Sequence, residues 1–169
     1  MGRFLKALEN FIVDITKPSS FVKGDEFETH VREYMFPKKN YDLVQKTHDY
    51  KTNKSDFVES SLNPDYKFRD KKTGKEFWVE CKFREGVIEK GKIFWCTKNQ
   101  LKRYKTIHKN LPVFIVLGIG DSASLPDEVI LFSVSEVNWT GLYESFLDKH
   151  SFYLDKPVFS SFLWKMIKK

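Results

Sequence analysis

Hydrophobic and polar positions change period along this chain, and the changes divide it into elements. Phe4, Leu8, Phe11 and Ile15 recur at helical spacing, which predicts an amphipathic helix over residues 3–16. Lys17-Pro18-Ser19-Ser20 ends it and offers an N-cap serine. A second helix is expected from about Phe21 to Phe36, with Phe27, Val31 and Tyr34 inward and Pro37 just beyond. Tyr41 to His48 reads as a strand and Lys51 to Ser61 as a polar loop. Glu76 to Phe83 alternates strictly, as a half-buried strand does. Gly86 to Phe94 is a short excursion or an extra strand. Thr97-Lys98-Asn99-Gln100 is a capping-box signature that opens a helix to about Lys109. Pro112 to Gly118 is a continuous apolar run, suited to a strand covered on both faces, and Glu128 to Val134 is one more strand. The predicted fold is α/β: a mixed β-sheet flanked by helices, in which the helix before Val113–Leu117 is a crossover long enough for parallel pairing.

The two segments around residues 63–69 and 75–84 read as a hairpin that turns at Lys71-Lys72-Thr73-Gly74. If Asp70 and Lys75 close the loop, Tyr66 pairs with Val79 and Phe68 with Phe77, so that apolar meets apolar. The same register sets Asp65 opposite Glu80, with Lys82 two residues further along the same face. Facing carboxylates destabilise a ladder, and a cation between them removes the conflict. Asp65, Glu80 and Lys82 therefore look like a metal site with an adjacent ammonium group. Cys81, on the other face, would point its sulfur into the core.

Charge sharpens this picture. Residues 67–109 hold fourteen Lys or Arg against five Asp or Glu, whereas residues 121–155 hold one Lys against seven acids. A basic excess bracketing the site suits a polyphosphate backbone, and a solvated surface is the plain alternative. Two cysteines, Cys81 and Cys96, exclude a disulfide framework and a four-ligand zinc set. No apolar run is long enough to span a bilayer, and the first eighteen residues lack a signal-peptide layout, so a cytoplasmic protein with no membrane partner is expected. None of the four histidines has metal-ligand spacing.

Pro64-Asp65, then fourteen residues, then Glu80-Cys81-Lys82 resembles the PD-(D/E)xK motif of the restriction-endonuclease-like nuclease superfamily. The order helix, three strands, helix, strand resembles that superfamily's αβββαβ core over about residues 21–118, with an N-terminal helix and C-terminal additions completing a single nuclease domain over 1–169. The dipeptide alone carries little, because Pro126-Asp127 is a second copy with no Glu-x-Lys strand after it. Register, shared face and element order carry the resemblance. It implies a metal-dependent deoxyribonuclease, an endonuclease that hydrolyses DNA phosphodiester bonds with Mg²⁺, for which Mn²⁺ would substitute. A hard cation neutralises the charge that shields a phosphodiester and acidifies a water, and oxygen donors suit it better than they suit zinc. Asp65 and Glu80 would bind the metal, the Cys81 backbone carbonyl would complete the site, and Lys82 would serve the attacking water or the developing charge. Neighbouring carboxylates favour a charged Lys82, while burial and metal oppose it.

Two further stretches resemble parts of related enzymes. Gly24-Asp25-Glu26-Phe27-Glu28 is similar to the Gly-x-x-Phe-Glu stretch of Holliday-junction resolvases, which implies Glu28 as a further catalytic metal ligand; the other reading is an exposed glutamate in an acidic first turn. Gly24 shares a face with Glu28 and would let the helix approach closely. Gln100 to Tyr104 resembles the Gln-x-x-x-Tyr element of RecB-type and lambda-exonuclease groups, implying Gln100 as an auxiliary catalytic residue and Tyr104 as a nucleic-acid contact. Locally, Gln100 is equally the capping partner of Thr97, and Tyr104 belongs to an apolar stripe with Leu101 and Leu111. Lys98, Lys102, Lys105 and Lys109 share one helix face, and Lys71, Lys72 and Lys75 cluster at the hairpin turn; both sets are candidate DNA contacts or solvated surface. The aromatic tail, Phe152, Tyr153, Phe159, Phe162 and Trp164, is core or a homodimer surface. A non-catalytic nucleic-acid-binding or assembly module on the same fold is the alternative function.

Overall fold

The computed structural model describes residues 19–47, 62–86 and 90–167. The helix expected over 3–16, the polar loop over 51–61 and His48 lie outside the described residues. In chain order the elements are α1 (Ser19–His30, continued by a π-helical turn, Val31–Met35), β1 (Tyr41–Lys46), β2 (Tyr66–Asp70), β3 (Glu76–Arg84), β4 (Lys92–Phe94), α2 (Lys98–His108) and β5 (Val113–Ile119). There follow β6 (Glu128–Ser133), β7 (Gly141–Tyr143), α3 (Glu144–His150), β8 (Ser151–Phe152) and α4 (Ser160–Ile167). A six-stranded sheet runs β1-β2-β3-β5-β6-β8, and β4 pairs with β7 in a second sheet of two strands. Pairing is parallel between β3 and β5 and antiparallel elsewhere, so the sheet is mixed but mostly antiparallel, with helices on its flanks.

The hairpin forms in the expected register: Tyr66 faces Val79 and Phe68 faces Phe77. Asp70 N–H donates to the Lys75 carbonyl at 2.9 Å and Gly74 N–H to the Asp70 carbonyl at 2.8 Å, with Gly74 at φ +70° as such a tight turn requires. The strand expectation needs one correction. Trp78 and Glu80 are as buried as Phe77 and Val79, because β3 sits between β2 and β5 and α2 covers its second face. On one side of the sheet Phe27, Met35, Phe36, Phe68, Phe77, Phe114 and Leu163 form a core. On the other, Trp95, Leu101, Tyr104, Ile115, Phe132 and Leu147 form a second. All seven residues of β5 are buried, as its unbroken apolar run predicts.

The first helix departs from expectation in its last turn. Phe36 N–H bonds the Val31 carbonyl at 2.9 Å, an i→i+5 bond that widens the turn. The extra residue rotates Met35 and Phe36 onto the buried face and turns Tyr34 outward, leaving it 51% exposed. The helix already contains Ser19 and Ser20, two residues earlier than expected. Close approach to the sheet also arises elsewhere than expected. A Cβ on Gly24 would meet nothing within 4 Å, whereas one on Gly118 would lie 2.3 Å from the Phe27 ring. Gly118 in β5 is thus the glycine that lets α1 pack down, through Phe27.

The aromatic tail divides. Phe152 and Trp164 pack against the core, whereas Tyr153, Phe159 and Phe162 stay exposed. No helix among the described residues is long and apolar enough to cross a membrane.

Candidate functional site

Asp65 stands at the point where β2 begins, and its position follows from the ladder. Alternation from the hydrogen-bonded pair Asp70–Lys75 would set the Cys81 N–H against the Pro64 carbonyl. Asp65 Oδ2 accepts that N–H instead, at 2.7 Å. The displaced Pro64 carbonyl accepts from Thr47 Oγ1 at 2.6 Å, and the Asp65 carbonyl from Thr47 N–H at 2.8 Å. The end of β1 therefore holds the entry to β2 while the carboxylate reaches across to β3.

Glu80 lies one pair beyond Tyr66–Val79, opposite Asp65, and is 3% exposed. Its Oε1 accepts from Tyr104 Oη at 2.6 Å and pairs with Lys82 Nζ at 2.5 Å; both contacts fall on Oε1 and neither on Oε2. A carboxylate this deep needs such partners, because burying a charge unpaired is costly. Glu28 extends from α1 toward the same place, with Oε2 3.4 Å from Lys46 Nζ. Glu28, Asp65, Cys81 and Lys82 line one cavity of ≈ 600 Å³ with Lys23, Gly24 and Glu85, and Glu80 is seated beneath it. Lys23 and Glu85 form an ion pair that ties α1 to the end of β3. Arg84 fixes the far wall, donating from Nε to the Phe94 carbonyl at 2.8 Å and from Nη2 to the Trp95 carbonyl at 2.6 Å.

The charges are crowded. Burial, then Glu80 and then Glu28, push the Asp65 carboxyl well above the usual carboxylate range, against the pull of Lys82 and the Cys81 N–H. Burial alone would lower the Lys82 ammonium, but the charges of Glu80 and Asp65 outweigh it and hold the group above its ordinary value. In the metal-free chain the carboxylates thus outweigh burial and favour a charged lysine. Burial pushes the Cys96 thiol up to about 11 and raises Cys81 as well, and the Cys81 side chain packs against the core as expected.

Asp65, Glu80, Lys82, Cys81 and Glu28 are thus brought together, and Glu28 faces its fellow acids rather than solvent. Among the described residues, however, no three His, Cys, Asp or Glu side chains converge closely enough to hold a metal ion. A hard cation at this place would rest on Asp65, Glu80 and main-chain oxygen, a donor set whose chemistry fits it. Gln100 is elsewhere: its Oε1 accepts the Thr97 N–H at 2.9 Å while its own N–H donates to Thr97 Oγ1 at 3.2 Å, the capping box of α2. Tyr104 is a correction. It is 1% exposed and cannot offer a surface to nucleic acid; the apolar stripe turns it inward, where its hydroxyl reaches Glu80. Sequence reasoning missed that bond, and also the Lys23–Glu85 pair and the Arg84 contacts. The Gln-x-x-x-Tyr spacing did flag Tyr104, but for another role.

The lysines occupy two other cavities. Lys71, Lys72 and Lys75 at the turn join Lys39, Lys165 and Trp164 around ≈ 810 Å³ at the opposite end of the hairpin from Asp65. Lys98, Lys102, Lys105 and Lys109 line a groove of ≈ 720 Å³ on the outer face of α2.

No protein-family model and no curated protein sequence matches the chain. Among solved structures, it is similar to Hjc, a Holliday junction resolvase from the archaeal hyperthermophile Archaeoglobus fulgidus, with a TM-score of 0.52 and 12% identity over 77% of this chain and 90% of that one. At that identity the likeness is one of fold. The restriction-endonuclease-like architecture implied by Pro64-Asp65 and Glu80-Cys81-Lys82 is the architecture of this chain.

Proposed function

We propose that this chain, with its restriction-endonuclease-like fold, is a metal-dependent deoxyribonuclease, an endonuclease that hydrolyses DNA phosphodiester bonds with Mg²⁺, or Mn²⁺ in its place. The observation that carries the reading is the meeting of three charges: Asp65 and Lys82 line one cavity, and the buried Glu80, opposite Asp65, pairs with Lys82 beneath it. Asp65, Glu80 and the Cys81 carbonyl would hold the metal, and Glu28 is a further acid in the same field. When bound, the metal supplies positive charge to the phosphodiester and acidity to a water. The Cys81 N–H fixes the Asp65 carboxylate, and Tyr104 fixes Glu80 through Oε1. Lys82 presents its ammonium to the cavity, where it can meet a phosphate oxygen or orient a nucleophile. The lysines around the turn and on α2 would take the DNA backbone. Gln100 would serve the site through the start of α2, by capping it.

The test is cleavage of linear, branched and single-stranded DNA with Mg²⁺ and Mn²⁺. Asp65→Ala, Glu80→Ala and Lys82→Ala should each abolish metal-dependent cleavage and largely keep DNA binding; full activity in Glu80→Ala would overturn the reading. A non-catalytic nucleic-acid-binding module is the second reading, favoured by the lack of a third converging metal-holding side chain among the described residues. Calorimetric titration with Mn²⁺ separates the two, since a module would take up no metal.

A further inference from the structure

The groove on the outer face of α2 has walls of two kinds. One wall is Lys98, Lys102, Lys105 and Lys109, which recur every three or four residues and so share a face about 16 Å long. The other is Asn138-Trp139-Thr140, with Trp139 50% exposed. No acid lines the groove, and among the described residues none of the four lysines makes an ion pair; Lys105 Nζ donates to Asn138 Oδ1. The absence of acids stands out because Asn138-Trp139-Thr140 belongs to a stretch, residues 121–155, that is otherwise acid-rich. The tryptophan is held in place through its backbone. Trp95 Nε1 donates to the Trp139 carbonyl at 3.2 Å and Trp95 N–H to the Thr140 carbonyl at 3.0 Å. The chain carrying the indole is thus fixed while half of the residue's surface stays open to solvent.

A row of ammonium groups facing a pre-positioned aromatic is the chemistry of an unpaired strand, whose phosphates track the charge and whose base stacks on the ring. In a duplex the base faces are already stacked, so an indole beside the backbone adds little. We infer that this groove binds single-stranded DNA, with Trp139 as a stacking platform for one unpaired base and the α2 lysines as phosphate contacts. The inference deepens the nuclease reading, on which it rests for the sense of the strand, by naming unpaired DNA as part of the substrate. Tyr104 on the inner face of α2 bonds Glu80, so a strand on the outer face lies about one helix diameter, 10–12 Å, from that carboxylate.

The experiment is fluorescence anisotropy of the full chain with a labelled oligothymidylate and a labelled hairpin duplex, in chelator so that cleavage plays no part. Trp139→Ala should weaken single-strand binding about tenfold and duplex binding less than twofold. Trp139→Phe should restore most of the single-strand affinity, while the quenching of tryptophan emission that the oligothymidylate produces in the parent protein disappears. Lys102→Ala should weaken single-strand binding while leaving that quenching at saturation. Unchanged single-strand affinity in Trp139→Ala would overturn the inference, as would equal losses on single strand and duplex, which mark a plain backbone contact. Because binding is read in chelator, where nothing is cleaved, a failure here leaves the cleavage proposal standing, and a chain that binds the oligothymidylate through Trp139 yet cleaves no DNA would fail the cleavage proposal alone.

Discussion

At the scale of single residues, the site holds charge at a cost to stability. Asp65 is pushed up by burial and by two neighbouring acids, so the folded chain binds its proton more tightly than the unfolded chain does. Ionising it therefore penalises folding. Below the ordinary carboxylate range both states are protonated and the penalty is absent; it grows as pH climbs past that range and is complete above the raised value. Asp65→Asn, whose amide oxygen can still accept the Cys81 N–H, should raise the urea midpoint of the metal-free protein at neutral pH, with an advantage that fades on acidification. Urea titrations in chelator across the acid range check it, and a pH-independent difference would rule out the buried charge as the source of the penalty. Tyr104→Phe removes one of the two contacts on the Glu80 Oε1. A hydrogen bond to a buried charge is worth about 1.5–3 kcal/mol, and denaturant unfolding should show a loss of that order. If Tyr104 positions Glu80 for chemistry, kcat should fall further than DNA affinity.

Among the elements, the close contact between α1 and the sheet is the point most sensitive to change. Gly118→Ala would drive a methyl into the Phe27 ring, and overpacking of a filled core costs about 1–3 kcal/mol. Phe27→Leu in the same chain should recover part of that loss, so the two changes should be less than additive by urea unfolding. Gly24→Ala, with open space around it, should be neutral or mildly stabilising, since glycine weakens a helix by roughly 0.5–1 kcal/mol. These contrasts also mark what the sequence makes legible. The hairpin register is readable because period-2 alternation leaves one way to pair Tyr66 and Phe68 with Val79 and Phe77. The start of α2 is readable because Thr97 and Gln100 carry their chemistry locally. Tyr34 escapes such a reading because a π-turn leaves no local mark and shifts the phase of every residue after it. The burial of Glu80 and the inward aim of Tyr104 depend on two elements meeting across the sheet, which one strand's alternation cannot report.

Over the whole molecule, positive charge collects around the cavity at the hairpin turn and along α2, whereas the acids gather in residues 121–155 and the cavity beside Asp65 sets Lys23, Lys82 and Arg84 against Glu28, Asp65 and Glu85. The cavity at the turn holds Lys39, Lys71, Lys72, Lys75 and Lys165, with Asp70 as its acid. That carboxylate is spent on the turn, accepting from the Lys72 and Thr73 N–H groups at 3.2 and 3.1 Å. If a duplex lies across this end, Lys71→Ala with Lys72→Ala should weaken its binding and make the plot of log K against log salt shallower by about 1 to 2. A slope unchanged in the double variant would remove this end from the binding surface. The additions after β5 complete the fold around the site: β7 gives β4 its partner, and β4 with Trp95 supplies the carbonyls that hold Arg84.

One consequence follows from the carboxylate that occupies a carbonyl's place on β3. Asp65 is indexed to the main-chain grid of the hairpin, so its distance from Glu80 is counted in rungs and not in residues. Lengthening the bend at 71–74 would leave the rungs of both arms in step. A single insertion between 66 and 70 would shift the count by one and point the acid away from its counterpart, so the tip can change length without moving the acid and the arms cannot.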